Sequence, residues 1–372
     1  MLENLLGIRL LLLVGDTVPL PASHELLSAL QQVEVTSDTG QGDGFQLTFS
    51  LARNGLFDYG LIQSGAVNPM KRVIIAMMLG AQPEVLIDGV VTHHQYSPGG
   101  RPGQATLTVT GRDLSVLMDL EEKNAGYPNQ PDFLIATRVV GGYAQYGIFP
   151  QALPTTDVPI MLQRIPRQHE TDLQFLQRLA GRNGYVFYLD PLTIGVSRAY
   201  FGPENRLGIP QPALSINLGA STNLKSISFT NDALHPIRVR GQVLDPLSKA
   251  NIPIPQLPSL KVPLAARPVA VQRTELLRTT ANQTPATAAT TAVARVTAAR
   301  DPVTAEGEVD VVRYGYVLRA RALVGVRGAG LTYNGMWYVR RVTHKIVPRA
   351  EYSQHFQLSR EGTLPLVPAV RP

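Results

Sequence analysis

The chain has no cysteine in its 372 residues. That excludes a disulfide framework, a thiolate metal site and thiol catalysis, and it leaves the redox compartment open. Long apolar runs are also missing. The stretch 10–14 is far shorter than the roughly 20 residues of a membrane helix, and Glu3 and Arg9 stand in its approach. The run lacks a signal-peptide n-region and a small-residue cleavage site, so it reads as a first β-strand. Blocks of one charge sign do not occur. The net charge of +6 comes from 34 basic and 28 acidic residues dispersed along the chain, a mildly basic surface rather than a nucleic-acid footprint. Charged residues are few, 17% against 44% hydrophobic, which fits a globular protein long enough for two or three domains.

What is present is mostly strand and turn. With Gly 32 and Pro 29, turn-forming residues are plentiful. Residues 45–51 alternate strictly, with Phe45, Leu47, Phe49 and Leu51 on one face. Residues 73–79 and 85–91 are apolar runs with turn signals at Gly80 and Pro83, and 105–110 alternates again. Gly111-Arg112-Asp113 is expected to end that strand, with a short helix over 114–120. Further strands are expected at 224–229 and 237–241. Prolines at 246, 253, 255, 258, 263 and 268 predict an extended, partly polyproline connection over 245–268. Thr284-Pro285 reads as a cap and first turn of an Ala-rich helix that Asp301-Pro302 stops.

Toward the end, 316–327 reads as one strand, with Leu318, Ala320, Ala322, Val324 and Val326 on one face and Arg319 and Arg321 on the other. Asn334-Gly335 predicts a type I′ hairpin turn. Strands 337–347 and 352–359 follow, with a bulge where alternation breaks at Arg340-Arg341. Val91-Thr92-His93 and Val342-Thr343-His344 form a weak internal repeat, each followed by a proline turn and an alternating strand. It implies two similar β-barrels.

The most informative segment is 167–190, RQHETDLQFLQRLAGRNGYVFYLD. Thr171 and Gln174 form a capping box, and Leu173, Leu176, Leu179 and Ala180 give the helix one apolar face. Gly181 and Gly184 stop it, 185–188 is a strand, and 190–193 is expected to turn into a second strand at 194–196.

Convergent chemistry is scarce. His93 and His94 are strand neighbours that point to opposite faces and so cannot chelate one metal. His169-Glu170 lacks the second histidine of a helical zinc motif. His344 reads as a satisfied structural histidine. No nucleophile elbow or phosphate loop occurs, and Gly99-Gly100-Arg101-Pro102-Gly103 joins two strands instead of opening a helix. Glu121-Glu122 reads as solvated surface. No catalytic residue, cofactor or metal is expected. Arg319, Arg321, Arg327 and Arg341 are the candidate contacts to a neighbouring subunit, because a guanidinium bonds carboxylates with a planar fork.

Three stretches resemble one known family. Val85-Leu86-Ile87-Asp88-Gly89-Val90-Val91 with Leu107-Thr108-Val109-Thr110-Gly111-Arg112-Asp113 is the first, and the 167–190 segment is the second. The third runs from Gly325-Val326-Arg327-Gly328 through Asn334-Gly335-Met336-Trp337-Tyr338-Val339 to Val342-Thr343-His344-Lys345-Ile346 and Tyr352. In order and over nearly the whole chain, they resemble the baseplate hub proteins of contractile injection systems. These are the phage late control protein D family and the hub part of type VI secretion spike proteins.

The resemblance implies a mainly β fold of two tail-tube-like β-barrels with an inserted α+β element. It places the first barrel at 1–120, the insertion at 121–223, the second barrel at 224–362 and a tail at 363–372. It implies a homotrimer whose six barrels form a pseudo-sixfold ring between a hexameric inner tube and a trimeric spike, with other baseplate proteins as further partners. No specific nucleic acid and no membrane segment is expected. Assembly would be cytoplasmic, without a signal peptide, followed by residence in a phage-tail-like particle. No spike needle or peptidoglycan-cutting insertion is visible, so both would belong to partners. The alternative is a β-rich hydrolase or glycan-binding protein with a cleft near His169, Glu170 and Asp172.

Overall fold

A computed structural model describes residues 8–52, 59–79, 83–101, 104–157, 159, 161, 165–244, 250–278, 284–348 and 350–366. Gly80, Pro102, Gly103, Pro246 and the tail beyond Leu366 lie outside these residues, as do the expected contributions of Glu3 and its neighbours.

The first half contributes β1 (Ile8–Gly15), β2 (Leu30–Asp38), β3 (Gly44–Ser50), β4 (Arg72–Leu79), β5 (Pro83–Ser97) and β6 (Thr106–Asp113). Burial alternates along β3, where Phe45, Leu47 and Phe49 face inward. It also alternates along β6, where Leu107, Val109 and Gly111 do so. Gly111 and Gly89 owe their identity to close approach. A Cβ at Gly111 would collide with the Phe45 ring and the Val90 carbonyl, and one at Gly89 with the Arg112 carbonyl. β6 runs through Gly111 to Asp113 instead of ending before them. The helix expected over 114–120 is a tighter 3-10 turn, Leu114–Met118, whose Ser115 N–H donates to Asp113 at 3.1 Å.

The insertion holds α1 (Asp132–Gly141), β7 (Ile148–Ala152), α2 (Asp172–Arg182), β8 (Val186–Thr193) and β9 (Val196–Gly202). Thr171 caps α2 by accepting from the Gln174 N–H at 3.3 Å. Leu173, Phe175, Leu176, Leu179 and Ala180 bury its apolar face in a core with α1 and the small sheet that Val90, Leu114 and Met118 join from the first half. The hairpin turn lies at Ile194-Gly195 rather than at 190–193. Pro191 is part of β8, an edge strand that tolerates its missing N–H, and the register slips between Pro191 and Thr193.

The second half contributes β10 (Gln211–Ser215), β11 (Leu224–Asn231), α3 (Pro285–Ala298), β12 (Val303–Asp310), β13 (Leu323–Arg327), β14 (Gly335–Val347) and β15 (Glu351–Arg360). Thr284 caps α3 with proline in its first turn, as read from the sequence. The described part of the proline-rich stretch, residues 250–268, is largely irregular. Asn251–Pro253 pairs with Gln242–Leu244, and Ala265–Pro268 pairs with Gly362–Pro365.

Two expectations fail here for identifiable reasons. Residues 316–322 are not strand: only Leu323–Arg327 is. The backbone groups of Leu318 and Arg319 are met by side-chain amides in place of a ladder. Gln354 accepts from Leu318 N–H at 3.0 Å and donates to its carbonyl at 2.8 Å. Gln211 does the same for Arg319, at 2.7 and 2.9 Å. Asn334-Gly335 is not a two-residue turn. Val326 already pairs with Gly335, and a short helix, Gly330–Tyr333, fills the connection. The buried Arg360 holds that connection by donating to Thr332 and Asn334 carbonyls while stacking on Trp337 at 4.2 Å.

The main sheet runs β11–β12–β15–β14–β2–β3–β6–β5–β4–β1, with β13 also paired to β14. The first half has the strand order β2–β3–β6–β5–β4 and the second has β11–β12–β15–β14–β13, so position for position the two halves repeat one topology. Finer details repeat as well. The β5/β6 register slips between Val91 and His93, and the β14/β15 register slips between Val339 and Arg341, the bulge anticipated at Arg340-Arg341. A non-glycine residue at positive φ precedes each: Met70 at 70° and Arg321 at 63°. Met70 N–H donates to Val91 and Arg321 N–H to Val339, both at 2.8 Å. The Val-Thr-His letters fall on the equivalent strands β5 and β14. They are three residues out of register, however, since Val91 matches Val339 and not Val342.

Candidate functional site: the seam between the halves

The halves meet edge to edge. β2 and β14 pair antiparallel from Val33 opposite Ile346 to Asp38 opposite Arg341. Thr36 and Thr343 hydroxyls touch across the junction at 3.0 Å, and Arg341 Nε meets Asp38 Oδ2 at 2.5 Å. Burial pushes the Asp38 carboxyl up, but the Gly40 N–H and Arg341 outweigh it and hold it below the usual range. The first half's core reaches across the seam to include Val311, Val317, Ile346 and Tyr352.

Arg321 is the centre of the seam. Its Nη1 and Nη2 meet the Asp43 carboxylate at 2.9 and 2.5 Å, and Nη2 also donates to the Asp38 carbonyl at 2.7 Å. Its guanidinium lies 4.3 Å from the Tyr188 ring centroid, so it touches the first half and the insertion together. Arg321 is 9% exposed and does not share an open strand face with Arg319, because residue 321 sits in the left-handed region and breaks the strand. Arg319 pairs with Glu84 of β5. Arg327 donates to Ser215 Oγ through Nε at 3.1 Å and Nη2 at 2.8 Å. Each of the four arginines singled out from the sequence therefore has a polar partner within its own chain.

Other buried polar groups surround them. Arg72 forms a two-pronged pair with Asp88, at 2.8 and 2.6 Å, and donates to the Tyr146 carbonyl of the insertion at 2.9 Å. Asp113 is pushed up to about 6, by burial first and by the Asp43 charge second. His344 is pushed down to about 3 by burial first and by Arg319 second. Its Nδ1 lies 2.8 Å from Tyr352 Oη and 3.1 Å from Gln354 Nε2, so two donors hold a neutral ring. Beyond the seam, Lys261 and Arg206 outweigh burial at Asp301 and hold it near about 2.

The alternative cleft does not assemble. Asp172 is buried and accepts from Lys123 at 2.5 Å, Tyr143 at 2.7 Å and Gln168 at 2.7 Å. Glu170 pairs with Arg178 at 2.7 Å, and His169 is exposed on the short strand Arg167–Thr171. His93 is exposed, and the His94 ring turns to the Val67 carbonyl. Among the described residues no group of three or more His, Asp or Glu could hold a metal ion. None of their helices is long and apolar enough to cross a membrane. Asp38, Asp43, Glu84 and the two glutamines were not legible as seam residues. Arg321 and Asp43 are 278 positions apart, and no local pattern links them.

This geometry organises a joint between two β-halves. No family model and no curated relative matches the sequence. Solved structures do match. The 43 kDa tail protein of prophage MuSo2 from Shewanella oneidensis superposes with a TM-score of 0.64 at 13% identity, over 95% of this chain and 99% of that one. A tail protein from Neisseria meningitidis gives 0.61 at 14% identity, over 96% and 98%. This is the phage tail-protein fold. A third match, the c3393 protein of E. coli, is described as a component of the type VI secretion system similar to phage T4 tail proteins gp27 and gp5. It gives 0.55 at 13% identity, over 92% of this chain and 77% of that one. The motif resemblance and the fold therefore point the same way, and the motif residues prove to be structural. Asp88, Gly89, Gly111 and Asp113 lie in the first half's strands, Asp172 anchors α2, and Trp337, Tyr338, His344 and Tyr352 lie in the second half's core or at the seam.

Proposed function

We infer that the chain is a structural hub of a contractile injection baseplate, a homotrimer whose six half-chains form a pseudo-sixfold ring between a hexameric tube and a trimeric spike. The observation that carries this is the strand order repeated within one chain, β2–β3–β6–β5–β4 and β11–β12–β15–β14–β13. A chain with two like halves presents six like units when three copies meet, which matches a sixfold partner on one side to a threefold partner on the other. The role is mechanical rather than enzymatic, in keeping with a polar seam whose named charges neutralise one another. Other baseplate proteins are the expected neighbours, and a phage-tail-like particle is the expected place of work. The test is native mass by light scattering, alone and then with a trimeric spike protein and a tube protein of a contractile injection system. A trimer, or a 3:3 complex, supports the reading; a monomer that ignores both spike and tube overturns it.

A further inference from the structure

On one side β14 is bordered by two strands in succession, β13 along residues 335–338 and β2 along 341–346. Its counterpart β5 is bordered there by β4 along 83–90. Among the described residues no strand takes the place on β5 that β2 holds on β14. At the far end of the sheet stands β11, the counterpart of β2. It pairs with β12 on one side and closes the strand order on the other. The chain thus makes one half-to-half junction internally and carries both components of a second, at opposite ends of its sheet.

We propose that β11 of one copy pairs antiparallel with the second half of β5 in the next copy, in the register that joins β2 to β14. This rests on the trimeric reading above and specifies its interface. The register follows from the ladders. Val35 and Phe229 hold the same place, opposite Phe45 and Ala305, which lie opposite Gly111 and Leu358, and these face Val91 and Val339. Asp232 then corresponds to Asp38, and His93, just past the bulge, to Arg341. His93 falls opposite Asp232, His94 opposite Asn231, and Gln95 opposite Thr230.

Independent details agree. Asp38 Oδ1 accepts from the N–H two residues on, Gly40, at 2.6 Å, and Asp232 Oδ1 accepts from Leu234 at 2.9 Å, so the same turn closes both strands. Both junctions set a carboxylate against a basic side chain, Arg341 in one and His93 in the other. Met70 stands where the second half has the buried Arg321, yet it is 51% exposed, and Leu234 just after β11 is 65% exposed. A docked copy covers both. Because the two edges differ, the contact is head to tail and adds copies in one direction until the ring closes.

The absence of cysteine makes the test direct. In Q95C/T230C the new thiols replace the pair equivalent to Thr36 and Thr343, whose hydroxyls touch. Oxidation in the presence of spike protein is expected to move the monomer band into covalent dimers and trimers. A mixture of Q95C and T230C chains should give the mixed dimer, and neither single variant alone should give any. T36C/T343C, closing within one chain, calibrates the yield. Q95C/S228C, displaced by two residues, should link less. If the trimer forms but 95 and 230 stay apart, or 95 links better to 228, the pairing is overturned and the hub reading stands. Self-linking of Q95C would replace head-to-tail by symmetric pairing and overturn it equally. If no oligomer forms, with or without spike protein, the hub reading and this interface both fall.

Discussion

Arg321 joins three parts of the chain through one planar group, with Asp43 and Asp38 on one side and Tyr188 on its face. Removing one partner of a buried ion pair leaves the other charge uncompensated, typically at about 3–5 kcal/mol. Arg321→Leu is therefore expected to lower the unfolding free energy by that order in denaturant melts, and Asp43→Asn in the same background should recover part of the loss. The titrating residues allow a second prediction. His344 has a folded value of about 3, below its unfolded value, so it costs stability as pH falls from about 6.5 toward 3. Asp113 is raised to about 6, so its folded form takes up a proton first and restores stability between about pH 6 and 4. Asp301, depressed to about 2, adds a loss only as pH falls from about 4 to 2. In that sum the His344 and Asp113 contributions cancel between pH 6 and 4, and stability falls steeply below 4. Asp113→Asn should move the onset of decline up to about pH 6, with a slope near 1.4 kcal/mol per pH unit, read from urea melts across pH. At this scale the sequence singled out four arginines as contacts to a neighbouring subunit, and the structure gives each a polar partner inside its own chain. Alternation assumed a regular strand, and the positive φ at residue 321 is invisible in the letters around it.

Elements were legible where local chemistry decides them. The Thr171 cap, the Thr284-Pro285 start of α3 and the alternation of β3 and β6 all come from neighbours in sequence, and the structure shows each of them. They were illegible where a distant side chain replaces a ladder, as Gln354 and Gln211 do for residues 318 and 319. Gln354→Leu leaves Leu318 N–H and C=O without those bonds, at about 1–3 kcal/mol for each buried group. Amide exchange at Leu318 should accelerate well beyond that of residues in the following strand β13. Gly111→Ala tests packing at the same scale. Neither the Phe45 ring nor the Val90 carbonyl can withdraw without disturbing a ladder, so the variant should destabilise by at least about 1–3 kcal/mol in thermal melts.

For the molecule as a whole, the repeat was legible in outline, on the correct strands but in the wrong register. Three matching letters say less than two matching bulges. What no sequence pattern showed is how deeply the halves interpenetrate, with Val311, Val317, Ile346 and Tyr352 completing the first half's core. The halves are therefore expected to unfold together. Tryptophan fluorescence from Trp337, buried in the second half, and amide exchange in β3, in the first, should report one transition. Two separated transitions would show that the seam is weaker than its contacts imply.

The two halves differ most between their first two strands. In the first half, residues 39–43 link β2 to β3, whereas in the second, residues 232–302 separate β11 from β12 and carry α3. In a closed ring of three copies, the inner strands would therefore look alike at every step of sixty degrees, and this lobe would recur only at every second step. Such a ring would be sixfold in its shared strands and threefold in its lobes. Changes confined to residues 232–302 would then alter only what recurs three times around the ring.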